Sequence, residues 1–73
     1  MRKNAKLPKA IGRKIQRIRK RNKLTQDKLA EKVGISTTYM GFIEQGRYAP
    51  SLEVLEKLSK ALKIPLSNFF QHY

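Results

Sequence analysis

The sequence predicts a compact all-α domain of five helices, the second and third of which are joined by a very short turn. Apolar residues recur at intervals of three and four through most of the chain, which is the spacing of amphipathic helices. Glycine follows two of these runs, and serine or threonine precedes three of them, as expected where helices end and begin. A chain of 73 residues encloses only one small core, so a single domain is expected. We predict that this domain covers residues 8–73 and that residues 1–7 form a basic arm.

The first helix is predicted to begin near Pro8 and to run to about Asn22. Proline suits the first turn of a helix, because its missing N–H is not needed there. The apolar face of this helix consists of three isoleucines: Ile11, Ile15 and Ile18. Residues 1–7 are basic and lack apolar periodicity, so they are expected to form a flexible arm.

Two short helices are predicted to follow, with Gly34 between them. Thr25 suits the capping position of the second helix, which covers about Gln26 to Val33. Gly34 can adopt the positive φ that ends a helix in a tight turn. Ser36 is then placed to cap a third helix that runs to about Gln45.

A fourth helix and a final short one complete the predicted fold. Gly46 ends the third helix, Ser51 caps the fourth, and Pro65 stops the fourth shortly after Ile64. The apolar stripe of the fourth helix is expected to contain four leucines: Leu52, Leu55, Leu58 and Leu62. One more turn or two of helix is indicated by three apolar residues near the end: Leu66, Phe69 and Phe70.

The segment from Gln26 to Gln45 has the spacing of a helix-turn-helix. Two helices that cross closely need a small side chain where they touch, which Ala30 provides. Their turn needs a residue without steric conflict at Cβ, which Gly34 provides. Five apolar residues of the segment then converge on one core: Leu29, Val33, Ile35, Met40 and Ile43.

The charge of the chain indicates a polyanionic partner. Seventeen Lys and Arg residues against five Asp and Glu give a net charge of +12, and residues 1–23 hold eleven of the basic residues and none of the acidic ones. A field of this size attracts nucleic acid and speeds its association. A membrane partner is not expected, because no apolar run approaches the roughly 20 residues of a spanning helix and the isoleucines of the first helix are needed for the core.

Catalytic and metal-binding functions are not expected. The chain has no cysteine, and its one histidine, His72, has no second ligand nearby. Paired carboxylates and a glycine-rich phosphate loop are missing from any plausible site. We therefore expect no enzyme activity, no cofactor, no metal and no small-molecule substrate, and the lack of cysteine suits a cytoplasmic protein.

The stretch LTQDKLAEKVGISTTYMGFIEQGRYAPSLEVLEKLSKAL resembles the phage-repressor and Cro family of helix-turn-helix domains, over about Ile11 to Phe70. The resemblance implies a lambda-repressor-like domain whose third helix, at about residues 36–45, reads the major groove of double-stranded DNA while the second lies across it. Within the family, TYMGFIEQGRYAPSLEVL resembles the controller proteins of restriction-modification systems. Much the same motif occurs in phage and plasmid regulators, so these alternatives remain open.

The resemblance implies base contacts for four residues of the third helix: Thr37, Thr38, Gly41 and Phe42. Glycine has no side chain to offer, and a phenylalanine offers only an apolar edge, for example to a thymine methyl group. The Arg, Asn and Gln side chains that read bases with two hydrogen bonds are missing from this set. We therefore expect modest sequence specificity, or specificity that is partly indirect.

Further roles follow from the same resemblance. Contacts to the DNA backbone are expected from five residues: Gln26, Ser36, Tyr39, Gln45 and Arg47. An N-terminal arm would add basic contacts along the DNA through Arg2, Lys3 and Lys6. A partly buried ion pair is expected to tie the first helix to the third: Arg19 with Glu44.

The resemblance also implies a two-fold dimer on half-sites roughly 34 Å apart. Candidate dimer contacts lie near the end of the chain: Leu66, Phe69, Phe70 and Tyr73. The alternative is a single terminal helix that covers the monomer core. The expected function is that of a small transcriptional regulator, cytoplasmic and associated with the nucleoid when bound; the alternative is an antitoxin or a coactivator-type module that uses the same fold.

Overall fold

The computed structural model describes the backbone of residues 6–70 and the side chains of residues 7–70. Within this range the chain forms α1 (Lys6–Arg21), α2 (Gln26–Val33), α3 (Thr37–Gln45), α4 (Leu52–Leu62) and a 3₁₀ helix (Leu66–Phe70). No strand occurs among these residues, so the predicted all-α class is confirmed. The prediction of five α-helices is wrong in one respect, because the last element is a 3₁₀ helix of five residues, a form used in short pieces.

The first helix begins earlier than the sequence predicts. α1 starts at Lys6 rather than near Pro8, and Leu7 packs against the core. Pro8 still lies in the first turn, where the N–H groups have no partner within the helix. Residues 6 and 7 are thus helical rather than part of an arm, and Arg2 and Lys3 lie outside the described residues.

The helix ends are fixed by the caps that the sequence predicts. Thr25, Ser36 and Ser51 each accept a hydrogen bond from the backbone N–H three residues further on, at 3.0 to 3.1 Å. Gly34 ends α2 at φ 76° and Gly46 ends α3 at φ 79°. Both glycines take the left-handed conformation that a residue with a side chain rarely adopts. Local chemistry therefore determines where α2 and α3 begin and end.

One core lies between the four α-helices and the 3₁₀ helix. Its buried apolar residues come from all five elements: Ile11, Ile15, Ile18, Leu29, Ala30, Val33, Met40, Ile43, Leu55, Leu58, Leu62 and Phe69. Ala30 is 1% exposed, as a close crossing requires. Leu52 was expected in the stripe of α4 but is 61% exposed, because this first residue of the helix precedes the part of α4 whose side chains meet the core.

The N-terminal half of α1 touches the backbone of α3. A Cβ atom added to Gly12 would lie 2.8 Å from the carbonyl oxygen of Glu44 and closer still to that of Ile43. A Cβ atom added to Gly46 would lie 2.8 Å from the Cα atom of Lys9. The two elements therefore meet with no room for a side chain between them, which the sequence analysis did not anticipate at Gly12.

Candidate nucleic-acid interface

The outer side of α3 carries the residues expected to contact bases. Thr37 and Thr38 are exposed, and Gly41 and Phe42 are partly exposed. The opposite side of the helix is buried and consists of Met40, Ile43 and Glu44. We call it the inner side of α3. The helix thus presents Thr37, Thr38, Gly41 and Phe42 together on one accessible surface, which we call the outer side of α3.

The two threonines at the start of α3 differ in their surroundings. The Thr37 hydroxyl donates a hydrogen bond to Oδ1 of Asp27, in the first turn of α2, at 2.5 Å. Within residues 7–70 the hydroxyl of Thr38 makes no hydrogen bond. Thr37 keeps its oxygen lone pairs as acceptors, whereas Thr38 keeps both its donor and its acceptor for another molecule.

Gln26, which was expected to contact the DNA backbone, lies across Gly41. Its amide Nε2 donates a hydrogen bond to Oε1 of Glu44 at 2.9 Å. A Cβ atom built on Gly41 would lie 3.7 Å from Oε1 of Gln26, an ordinary van der Waals distance. The amide of Gln26 therefore lines the same surface as Gly41, and it is one N–H short of its full donor capacity.

Arg19 and Glu44 form a buried, bidentate ion pair between α1 and α3. Nε of Arg19 donates to Oε2 of Glu44 at 2.6 Å, and its Nη2 donates to Oε1 at 3.1 Å. The side chains are 9% and 1% exposed. Nη1 of Arg19 also donates to the carbonyl oxygen of Leu24, at 2.8 Å. Together with the bond from Gln26, these contacts link α1, α2 and α3 at one carboxylate.

Three aromatic rings lie together where α3 ends. Phe42 meets Tyr48 edge to face with ring centroids 5.6 Å apart, and Tyr48 lies 6.3 Å from Tyr39. The guanidinium carbon of Arg47 lies 4.6 Å from the centroid of Phe42, within cation–π distance. The sequence analysis missed Tyr48, although its position beside Arg47 in the loop after Gly46 was a signal for it.

The remaining expected contact residues are distributed around this surface. The hydroxyl of Ser36 already accepts from the backbone N–H of Tyr39, and Gln45 is exposed at the end of α3. The side chain of Lys6 lies outside the described residues, as do Arg2 and Lys3. Of the five expected backbone contacts, Ser36 and Tyr39 thus lie at the start of α3, Gln45 and Arg47 lie at its end, and Gln26 lies at the start of α2.

The candidate dimer residues do not form one exposed group. Phe69 is 2% exposed and belongs to the core, so its side chain is not free to contact a partner. Leu66 packs against the core and is partly exposed, while Phe70 is 43% exposed. Tyr73 and His72 lie outside the described residues. Of the four, Phe70 offers the largest described apolar surface.

Other kinds of site find no support in the part of the chain that the structure describes. No group of three or more metal-ligating residues occurs between residues 6 and 70. None of the helices in this range has the length and apolar character needed to cross a bilayer.

Sequence comparison identifies the family of this arrangement. A helix-turn-helix family model matches residues 15–69. The chain belongs to the helix-turn-helix family. The match includes α2, α3 and α4 entirely and residues 15–21 of α1.

Relatives in the family are regulators by name. The immunity repressor protein of Bacillus phage phi105 is 49% identical over 57 residues, which cover 78% of this chain and 40% of the repressor. The chain thus spans well under half of that relative. The phage-repressor resemblance inferred from the sequence is confirmed by this similarity.

Solved structures share the fold of this helix-turn-helix domain. The restriction-modification controller protein C.AhdI from Aeromonas hydrophila is 30% identical with a TM-score of 0.83, covering 86% of this chain and 96% of that one. The biofilm regulator SinR, solved in complex with DNA, is 32% identical with a TM-score of 0.79, covering 84% and 98%. The resemblance to controller proteins therefore also extends to the fold.

Proposed function

We propose that this helix-turn-helix protein is a transcriptional regulator that binds double-stranded DNA with α3 in the major groove. The observation that carries the proposal is the exposed outer side of α3. The inner side of the same helix is buried, and its Glu44 is ion-paired with Arg19, so the outer side is held in a fixed position. An α-helix fits the width of the major groove, where each base pair presents a distinct pattern of donors and acceptors. SinR, a protein of the same fold, was solved in complex with DNA, which supports DNA binding by this chain.

Base reading is assigned to the two threonines and Phe42. Thr38 has its hydroxyl free among the described residues and serves as a donor or an acceptor toward a base edge. Thr37 serves as an acceptor while it stays bonded to Asp27. Phe42, with one face under Arg47, offers its remaining edge to a thymine methyl group. Gly41 contributes only a close approach of its backbone.

Phosphate binding is assigned to groups around the ends of the helices. The second N–H of the Gln26 amide points away from Glu44 and is available to a phosphate oxygen, next to the positive end of the α2 dipole. Arg47 and Gln45 supply further donors at the end of α3, and Tyr39 and Ser36 lie at its start. These contacts fix the register of α3 on the duplex but do not read sequence.

A two-fold dimer and a repressor role complete the proposal. The few base and phosphate contacts assigned to one monomer make a weak footprint, which a second copy on a neighbouring half-site doubles. Exposed Phe70 and partly exposed Leu66 are the described residues from which such a contact would be built. The phage relative is a repressor by name, which supports a repressor role for this chain. The proposal includes a cytoplasmic location, at the nucleoid when DNA is bound, and neither a cofactor nor a catalytic activity.

Selection of bound duplexes from random DNA sequence tests this function. A two-fold dimer is expected to enrich a palindrome with half-sites about one helical turn apart. Thr38→Ala is expected to weaken preference at one position of each half-site, while the exposed Lys57→Ala on α4 serves as a control and leaves the motif unchanged. Recovery of unselected sequences by the wild-type protein would show purely electrostatic binding and overturn the proposal.

The alternative function is an antitoxin or coactivator-type module that binds another protein. It predicts that a partner copurifies in a fixed ratio with the chain and that this partner is lost when exposed surface away from α3 is changed. The same preparation used for DNA selection distinguishes the two functions, because a stoichiometric protein partner without enriched DNA would favour the alternative.

A further inference from the structure

A basic cleft lies between α1 and the end of α3, beside the outer side of α3 but not part of it. It has a volume of about 420 Å³. Three residues of α1 and two of α3 line it: Lys9, Arg13, Gln16, Glu44 and Gln45. We call this feature the α1–α3 cleft. None of its three α1 residues has a role in the function proposed above.

The cleft exists because α1 and α3 approach each other at the backbone. Gly12 lies against the carbonyl oxygens of Ile43 and Glu44, and Gly46 lies against Lys9. Lys9, Arg13 and Gln16 are four and three residues apart, which places them on one side of α1, next to this contact. The crossing thus fixes the three side chains beside the C-terminal end of α3.

The polar groups of the α1–α3 cleft suit an anion. Among residues 7–70 the ion pairs are Arg19 with Glu44 and Lys57 with Glu53, so Lys9 and Arg13 have no carboxylate partner there. The two carboxylate oxygens of Glu44 already accept from Arg19 and Gln26. The amides of Gln16 and Gln45 add N–H donors. The cleft therefore combines two uncompensated positive charges with neutral donors.

The position of the cleft relates it to the DNA that α3 would contact. Thr38, Phe42 and Gln45 follow at intervals of four and three residues and so share one side of α3. Gln45 is the last residue of that helix, and it also lines the α1–α3 cleft. Gln45 therefore joins the outer side of α3 to the cleft, so the cleft adjoins the surface on which a duplex would be seated.

We propose that the α1–α3 cleft binds a phosphate of the DNA backbone that lies outside the base pairs contacted by α3. Arg13 forms the charged contact, Lys9 adds a second positive charge, and Gln16 and Gln45 donate hydrogen bonds to phosphate oxygens. This inference rests on the proposed DNA-binding function. The phosphate contact in the cleft extends the DNA footprint of the protein to flanking base pairs, and it adds affinity without adding base readout.

The salt dependence of binding tests the cleft with the duplex recovered by selection, kept with several flanking base pairs at each end. Arg13→Gln is expected to reduce the slope of log K against log salt by about 1 and to weaken binding about eightfold in about 0.1 M salt. Arg13→Lys keeps the charge and is expected to keep the slope. Arg21→Gln is the matched control, because Arg21 is an exposed arginine of the same helix that does not line the cleft.

The length of the duplex provides the second measurement. When the flanking base pairs are removed, wild type and Arg13→Gln are expected to bind equally, because the phosphate that the cleft contacts is gone. Equal slopes for Arg13→Gln and Arg21→Gln on the long duplex, with wild-type binding intact, would overturn the cleft alone. Failure of wild type to select or bind any duplex would instead overturn the proposed function.

Discussion

The inner and outer sides of α3 belong to one helix of nine residues but are held very differently. On the inner side, Met40, Ile43 and Glu44 are buried, and α1 contacts the helix backbone at Gly12. On the outer side, a Cβ atom added to Gly41 would meet nothing closer than 3.7 Å. Gly12 of α1 faces the inner side and Gly41 lies on the outer side, yet only Gly12 has surroundings that leave no room for a side chain.

Under the proposed function, the position of the helix and the reading of DNA therefore depend on separate residues. Substitutions on the inner side are expected to change the free energy of unfolding. Substitutions on the outer side are expected to change DNA affinity or preference while leaving the fold intact. The predictions below test this separation, from the largest expected effect to the smallest.

Glu44→Ala is expected to lower the free energy of unfolding by about 3 to 5 kcal/mol, because it leaves the guanidinium of Arg19 buried without its partner. That is a large part of the roughly 5 to 15 kcal/mol that typically stabilises a domain. Urea or thermal unfolding measures it. Glu56→Ala, at an exposed position of α4, is the control. A Glu44→Ala melting temperature equal to that of wild type would show that the ion pair does not support the inner side.

Gly12→Ala is expected to destabilise the protein by about 1 to 3 kcal/mol or more, because a methyl group would be forced against carbonyl oxygens of the α3 backbone. Alanine favours helix more than glycine does, so intrinsic propensity alone predicts the opposite sign. The midpoint of urea unfolding decides between them. A stabilised Gly12→Ala variant would mean that α1 and α3 do not approach as closely as described.

Arg47→Ala is expected to weaken binding to all DNA sequences about equally, by about eightfold in about 0.1 M salt, and to flatten the salt dependence by about 1. Arg47 lies over Phe42, so the variant also removes a cation–π contact. Competition binding with matched and unrelated duplexes measures both effects. A changed sequence preference would assign Arg47, or the ring that it covers, to base reading instead. Arg47→Lys, which keeps the charge, is the control for the salt slope.

Gly41→Ala is expected to raise the free energy of unfolding by up to about 1 kcal/mol, because the added methyl group improves helix propensity and fits beside Gln26. Urea unfolding in parallel with Gly12→Ala provides the comparison. Loss of stability at Gly41 would contradict the open surroundings of the outer side. Opposite signs for the two glycines would support the separation between the two sides of α3.

Features that depend on neighbouring residues in the sequence were predicted well. The bounds of α2 match the prediction, and α3 begins one residue after its predicted cap, Ser36. Caps and helix-ending glycines act within a few residues, so the sequence alone contains the information that places them. The family resemblance then supplied the DNA-contacting role that we propose for the outer side of α3.

Other features, which depend on which elements touch, were missed. The need for glycine at position 12 exists only because α1 crosses the end of α3, and the contact of Tyr48 with Phe42 exists only because the loop folds back over the helix. Leu52 kept the spacing of the leucine stripe but lies beyond the packed part of α4. Spacing gives the side of a helix, but not how far along that side its neighbour extends.

The backbone contact at Gly12 also limits how α3 can change over evolutionary time. A helix that touches its neighbour through backbone atoms cannot rotate about its own axis without losing that contact, so its angular orientation is set by α1 rather than by the residues it presents. Under the proposed function, new DNA preferences would therefore be reached by exchanging side chains at positions 37, 38, 41 and 42, each of which keeps its direction on the outer side of α3.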